Sequence, residues 1–230
     1  MVRIDITGCI VPDEDAWIYE WFGMDYTNPA GVKGKIHEAN GEMVDIYINS
    51  GGGDIFAGSE IYSEIRSYPG PVKIHVTGLA ASAASVIACA GESEISPTAM
   101  LMVHNVSCNA SGDYHAMDKQ SDILKKANET IAAAYVEKTG MAMRDALEMM
   151  DKETWLSATD AVEKGLIDKI AESKNVQLVA SFDGGMLPRN VIEKMRNQRI
   201  EEKTNADFLC AKKTAQAKLN QLKLGGIENE

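Results

Sequence analysis

An alternating stretch, Val72-Lys73-Ile74-His75-Val76-Thr77, runs directly into a series of small residues that continues to Gly91. Alternation of apolar and polar side chains marks a strand with one buried face. The segment Gly78-Leu79-Ala80-Ala81-Ser82-Ala83-Ala84-Ser85 therefore reads as a strand-to-helix junction, and it constrains the fold more than any other eight residues. At such a junction the Ser82 hydroxyl lies where the strand ends, with no bulky neighbour beside it. The next backbone N–H groups belong to the first turn of a helix, which favours a nearby negative charge. The competing reading is a tightly packed helix whose serines only bond back to the preceding turn.

The first 170 residues alternate strands with helices. Arg3-Ile4-Asp5-Ile6-Thr7 and Val44-Asp45-Ile46-Tyr47-Ile48-Asn49 read as strands, with helical or irregular connections over 13–21 and 29–40 between them. After Gly51-Gly52-Gly53, residues 55–68 place Ile55, Ile61, Tyr62 and Ile65 near helical spacing, and Pro69-Gly70 ends that helix. Residues 99–104 form another strand. Residues 114–138 form a long amphipathic helix whose stripe Ile123, Ala127, Ile131, Tyr135 keeps i,i+4 spacing up to Gly140. Ser157-Ala158-Thr159-Asp160 is a capping box, Gly165 stands where a left-handed C-cap belongs, and 166–170 make a last short strand. Repeated strand–helix units with short links imply an α/β fold with a parallel sheet and right-handed crossovers. From about Glu172 the character changes to one more strand at 176–180, a turn at Asp183-Gly184-Gly185, and a charged, helix-prone, partly flexible tail.

Charge narrows the function. Residues 1–171 carry 13 Lys/Arg against 26 Asp/Glu, a net −13, whereas 172–230 carry 10 against 8, a net +2. An acidic body argues against a nucleic-acid enzyme. Cys9, Cys89, Cys108 and Cys210 are scattered and form no CxxC pair, so neither a metal site nor a disulfide framework is expected. The opening Met1-Val2-Arg3-Ile4-Asp5-Ile6 is charged and alternating, unlike a signal peptide, and no run suits a membrane span. These features point to a cytoplasmic protein.

A serine alcohol becomes a nucleophile only when a base takes its proton, and that base needs a third group to hold its ring. Of four histidines, His37 lies in a polar segment, His75 inside a strand and His115 at the start of the long helix. His104 ends the apolar run Met100-Leu101-Met102-Val103 at a strand's carboxyl edge, where open α/β sheets place their sites. Asp151 and Glu153, just before Trp155-Leu156-Ser157-Ala158, are the candidates for the third group. Asn49-Ser50-Gly51-Gly52-Gly53-Asp54 lacks the Lys-Ser/Thr of a phosphate loop. Its consecutive glycines suit a backbone that approaches a ligand closely and aims N–H groups at it, as an oxyanion hole or a peptide-binding edge requires.

These segments, in order, resemble the proteolytic subunit of the Clp protease (the ClpP family). They are Tyr47 to Gly53, Ala57-Gly58, Ile61-Tyr62, Gly78 to Ser82, Met102-Val103-His104, Trp155 to Ala158, and Ala161 to Asp168. The resemblance covers about residues 3–170 and implies a protease domain at 1–171 with a C-terminal extension at 172–230. It further implies a ClpP/crotonase-like superhelix of β-β-α repeats with 114–138 as the long handle helix. By the same resemblance Ser82 is the nucleophile and His104 the general base, with the N–H groups of Gly53 and Ala83 as oxyanion hole and Gly51 and Gly52 binding a polypeptide substrate. The family's triad aspartate falls on Glu153 here, with Asp151 as the alternative. A homo-oligomeric ring of six or seven subunits, possible stacking of two rings, and no metal or cofactor are expected, and an ATPase partner is left open.

Further departures stand out. Ser50-Gly51-Gly52-Gly53 replaces the family's usual Ser-Pro-Gly-Gly, and the chain carries extra sequence around Trp21 to Gly34 and a long tail. These look more like the Clp-type proteases of phages and prophages, which process capsid or scaffold proteins. The rival readings are a crotonase-like acyl-CoA enzyme, which shares the fold but needs no Ser/His pair, and a catalytically silent assembly protein.

Overall fold

The computed structural model of the chain describes residues 1–172. The fold below is that of one compact unit, Met1–Glu20 with the described residues from Met24 onward. The strand, turn and helical tail expected beyond Glu172 lie outside the described residues.

Strand β1 (Val2–Ile10) is followed by a 3-10 turn at Asp13–Asp15, helix α1 (Ala16–Phe22), the two-residue strand β2 (Tyr26–Thr27) and helix α2 (Pro29–Ala39). Then come β3 (Val44–Gly53), α3 (Ile55–Ser67), β4 (Val72–Ala81), α4 (Ala83–Ala88), β5 (Glu92–Ile95) and β6 (Met100–Val103). The long helix α5 (Tyr114–Thr139), α6 (Met143–Asp151), β7 (Thr154–Ser157), α7 (Ala158–Glu163) and β8 (Lys169–Ile170) complete the unit. The path β2-β1-β3-β4-β5-β8 is parallel throughout.

The alternation in β1, β3 and β4 decides which face is buried. Ile4, Ile6, Ile46, Ile48, Ile74 and Val76 are almost fully buried and share one core with Val32, Ile36, Ile61 and Ile65 of the flanking helices. Every residue of α4 is buried, Val86 and Ile87 included, and the alanines and Ser85 around them suit its close packing against the sheet and the neighbouring helices.

The sheet forks at β4. Its first half, Lys73–Val76, pairs with β5, and its last three residues, Leu79–Ala81, pair with β6. On its other side β6 pairs antiparallel with β7. This departs from the all-parallel sheet expected, because the short α6 turns the chain back along β6. The fork carries the ends of β4 and β6 away from β5 and opens a cleft beside them.

Helix ends follow the local signals. Asp54 caps α3 by accepting from the Ala57 N–H at 2.8 Å, and Asp113 caps α5 by accepting from Ala116 at 3.0 Å. Ser157 and Asp160 form the capping box that opens α7. Lys138 of α5 donates to the Gly91 carbonyl at 2.8 Å and pairs with Asp168 at 2.5 Å, which ties the helix to the sheet. The stripe on α5 is divided. Ile131 and Tyr135 are buried in this chain's own core, while Ile123 is 46% exposed, so only the first half of the stripe is left open.

Candidate active site

The register of β4 and β6 sets Ala81 opposite Met102, so the residues that follow both strands emerge at one edge. Ser82 donates its N–H to the Met102 carbonyl at 3.0 Å. At this point the backbone turns sharply into α4, with Ser82 at φ 55° and ψ −124°. Side chains other than glycine hold such a conformation only where their surroundings over-determine it, at about 1–3 kcal/mol. The turn exposes the hydroxyl at the tip of the strand. His104, immediately after β6, brings its Nε2 to 2.8 Å from Ser82 Oγ. For the serine to donate, Nε2 must be the unprotonated nitrogen and Nδ1 must carry the proton.

The glycine run lies across the cleft from this pair. Gly52 has φ 92° and is buried; a Cβ there would come within 2.7 Å of Ser82 Cβ and 2.6 Å of the Ala81 carbonyl oxygen. Gly53 has φ 152°, and a Cβ would meet the Ile10 carbonyl at 2.1 Å. Glycine is needed at both positions by space as well as by torsion. A cavity of about 560 Å³ opens over the pair, lined by Gly51, Gly53, Phe56, Met102 and, from α5, Ile123 and Leu124 among others. Gly52 does not line it: of the two glycines expected to bind substrate, Gly51 faces the cavity and Gly52 packs beneath the serine. Ala83 begins α4, where a backbone N–H has no acceptor within the helix.

The third group departs from expectation. Among the described residues neither carboxylate bonds to His104. Asp151 accepts from the Asn105 side-chain amide at 2.7 Å, and Glu153 accepts from the Trp155 indole N–H at 3.2 Å. The reason is local. Glu153 follows the C-terminus of α6 in a left-handed conformation, φ 46°, and its side chain meets the neighbouring indole first. Its backbone is nevertheless well placed. The β6–β7 ladder pairs Met102 with Trp155 and Val103 with Thr154, and one further step in that register sets Glu153 opposite His104.

Sequence reasoning passed over Asn128 and Asn105, which shape the site from behind. Asn128 of α5 accepts from the Val106 N–H at 2.7 Å and holds the loop that follows His104. The Asn105 Oδ1 is buried without a hydrogen bond. Ser85, one turn into α4, bonds to the Ser82 carbonyl. Only the Ser85 contact left a trace in the sequence, as a second serine three positions after the first.

The sequence matches the Clp protease family over residues 36–174. The chain belongs to that family. It is 35% identical over 140 residues to the ATP-dependent Clp protease proteolytic subunit 1 of Chlamydia muridarum, across 59% of this chain and 73% of that one. It is 30% identical over 133 residues to the corresponding subunit 3 of Streptomyces coelicolor, across 56% and 61% respectively. A mutant ClpP1 from Listeria monocytogenes superposes with a TM-score of 0.62 at 22% identity, covering 75% of this chain and 92% of that one, and so shares its fold. The Clp-family protein is accordingly a hydrolase of the serine endopeptidase type, with the α/β fold expected from its sequence. No helix among the described residues is long and apolar enough to cross a membrane.

Proposed function

We propose that this Clp-family protein cleaves polypeptides through Ser82, with His104 as general base. The observation that carries the reading is the 2.8 Å contact between Ser82 Oγ and His104 Nε2 at the mouth of the cavity. His104 takes the hydroxyl proton as Oγ attacks the scissile carbonyl, then returns it to the amine that leaves; water repeats the cycle on the acyl-enzyme. The oxyanion of each tetrahedral intermediate is received by the N–H groups of Gly53 and Ala83. Glu153 completes the triad by swinging from Trp155 to His104 Nδ1, which the ladder register favours over Asp151. An extended substrate lies along the open edge at Gly51, backbone to backbone.

The active unit in this proposal is a homo-oligomeric ring of six or seven subunits, with exposed side chains of α5 such as Tyr114, Met117 and Ile123 covered by other subunits. Its substrate is a phage capsid or scaffold protein. That finer reading rests on the sequence resemblance alone.

A fluorophosphonate probe followed by mass spectrometry tests the nucleophile, since the label should sit on Ser82 and nowhere else. Native mass measurement tests the ring. Co-incubation with candidate capsid and scaffold chains, with and without ATP and an ATPase partner, tests the substrate; cleavage of generic peptide but of no such chain would remove the phage role and leave the chemistry standing.

A further inference from the structure

A buried polar chain that the triad does not use lies directly behind the nucleophile. The Ser85 side chain on α4 is fully buried, and Tyr135 on α5 is 1% exposed. Ser85 Oγ lies 2.6 Å from the carbonyl oxygen of Ser82 and 2.8 Å from the Tyr135 phenol oxygen. Counting protons fixes the direction of both bonds. A carbonyl only accepts, so the single hydroxyl proton of Ser85 goes to Ser82. The Ser85 oxygen is then left to accept, and Tyr135 must be the donor. Burial pushes the Tyr135 phenol well above its ordinary value, which keeps that donor protonated.

The peptide unit at the end of this chain is the important one. The Ser82 carbonyl and the Ala83 N–H belong to the same planar trans peptide and point in opposite directions. Whatever holds the carbonyl on the buried side aims the N–H toward the open cleft. Two backbone N–H groups also reach this carbonyl, from Ser85 at 2.9 Å and Val86 at 3.4 Å, as at the start of any helix. The Ser85 hydroxyl is the shortest of the three contacts and comes from outside the helical ladder. Through Tyr135 it fastens a strained peptide plane to the helix that lines the cavity. Hydrogen bonds in series also polarise one another, by about 10–30% per bond, which makes the Ala83 N–H a better donor.

We infer that Tyr135 and Ser85 are positioning residues, which hold and polarise the Ser82–Ala83 peptide so that the Ala83 N–H meets the developing oxyanion. This rests on the assignment of Ser82 as nucleophile and Ala83 as oxyanion donor.

The test compares the full-length protein with Ser85→Ala, Tyr135→Phe and the double variant. Active sites are counted by fluorophosphonate titration, so that turnover is expressed per competent site. Peptide hydrolysis is measured beside the affinity for a peptide boronate, whose tetrahedral adduct places an oxygen in the oxyanion hole. Ser85→Ala should lower kcat per site by about 10- to 100-fold, with KM held within about twofold. Boronate affinity should fall by a similar factor. Tyr135→Phe should cost roughly three- to tenfold alone and nothing further in the Ser85→Ala background, because the chain is already cut there.

A purely structural role would lower the melting temperature and the number of titratable sites while leaving turnover per site and boronate affinity unchanged; that result for Ser85→Ala overturns the inference. Independent, additive effects of the two substitutions would overturn the chain. A wild-type protein that takes no label at Ser82 removes the nucleophile assignment and this inference with it, whereas labelling at Ser82 with unaffected variants removes the inference alone.

Discussion

His104 and His75 both belong to the central sheet region, and what faces each ring nitrogen sets them apart. His75 has Nδ1 at 2.8 Å from Glu94 and Nε2 at 3.0 Å from Asp45. Its ring stacks on Tyr47 with centroids 4.5 Å apart, and the Arg3 guanidinium lies 4.0 Å from the centre of the same tyrosine ring. Ionised carboxylates only accept, so both bonds form together only when each ring nitrogen carries a proton. With both bonds formed, no lone pair is left to take a proton from anything else. His104 has one nitrogen on a serine hydroxyl and, among the described residues, no hydrogen bond at the other. The histidine richer in carboxylate contacts is thus the less reactive one. A general base needs an uncommitted lone pair facing a nucleophile, and a crowded ion-pair network removes it.

The largest effects should separate the two histidines by kind. Ser82→Ala and His104→Ala should each lower peptide turnover by on the order of 10⁴ or more while leaving the melting temperature nearly unchanged. Contaminant-free hydrolysis by the Ser82→Ala protein would refute the mechanism. Next comes the third group. Glu153→Gln should cost on the order of 10³- to 10⁴-fold in kcat and Asp151→Asn less than about tenfold, since one step beyond the last ladder pair, Val103–Thr154, would set Glu153 and not Asp151 opposite His104. The reverse ranking would transfer the role to Asp151, acting through Asn105.

His75→Ala should do the opposite of His104→Ala. Removing it leaves the buried Asp45 and the half-buried Glu94 without their shared partner, which should destabilise the fold by about 2–4 kcal/mol while activity per folded site is retained. The pH dependence has a definite sign. Burial pushes the Glu94 carboxyl up, but hydrogen bonds from Lys73 and His75 outweigh it and hold the group below its ordinary value of 4.5. A depressed folded value means stabilisation that is complete above 4.5 and lost as pH falls through the lower folded value. Thermal melts below pH 4.5 should therefore fall more steeply for the wild type than for Glu94→Gln. Parallel curves would show that the network carries no such linkage.

The same contrast explains what could be read from the sequence. Ser82 was legible because small residues at the end of a strongly alternating strand suit a close-packed junction, and His104 because it is the one polar residue closing a short apolar run. The inertness of His75 was legible in part, as a histidine within a strand, but its carboxylate partners come from β3 and β5, and cross-strand register is not written locally. Strand β5 (Glu-Ser-Glu-Ile) and strand β7 (Thr-Trp-Leu-Ser) are four residues each, too short for a period to declare itself. Helix α6 was missed because its buried face is only Ala146, Met149 and Met150. The fate of Glu153 was hidden for a different reason. A family position can be read from spacing, but the direction of a side chain on a left-handed residue depends on the tertiary partner it meets.

That partner supplies the smallest effect and the finest test of the comparison. Trp155 is half exposed, and its indole N–H holds the Glu153 carboxylate at 3.2 Å. A long, solvent-accessible hydrogen bond of this kind contributes little, roughly the lower end of 0.5–1.5 kcal/mol. If Glu153 serves His104, the indole competes with the imidazole for one carboxylate, and each turnover must draw the carboxylate away from it. Phenylalanine keeps the ring on β7 and removes only the competing donor. Trp155→Phe should therefore raise kcat by about two- to threefold, the factor that corresponds to relief of so weak a bond. The gain should disappear in the Glu153→Gln background, where no carboxylate remains to be released. A fall in kcat would show instead that the indole steers Glu153 toward His104. Equal gains with and without the Glu153 carboxylate would place the effect in packing along β7 and not in release of Glu153 toward His104.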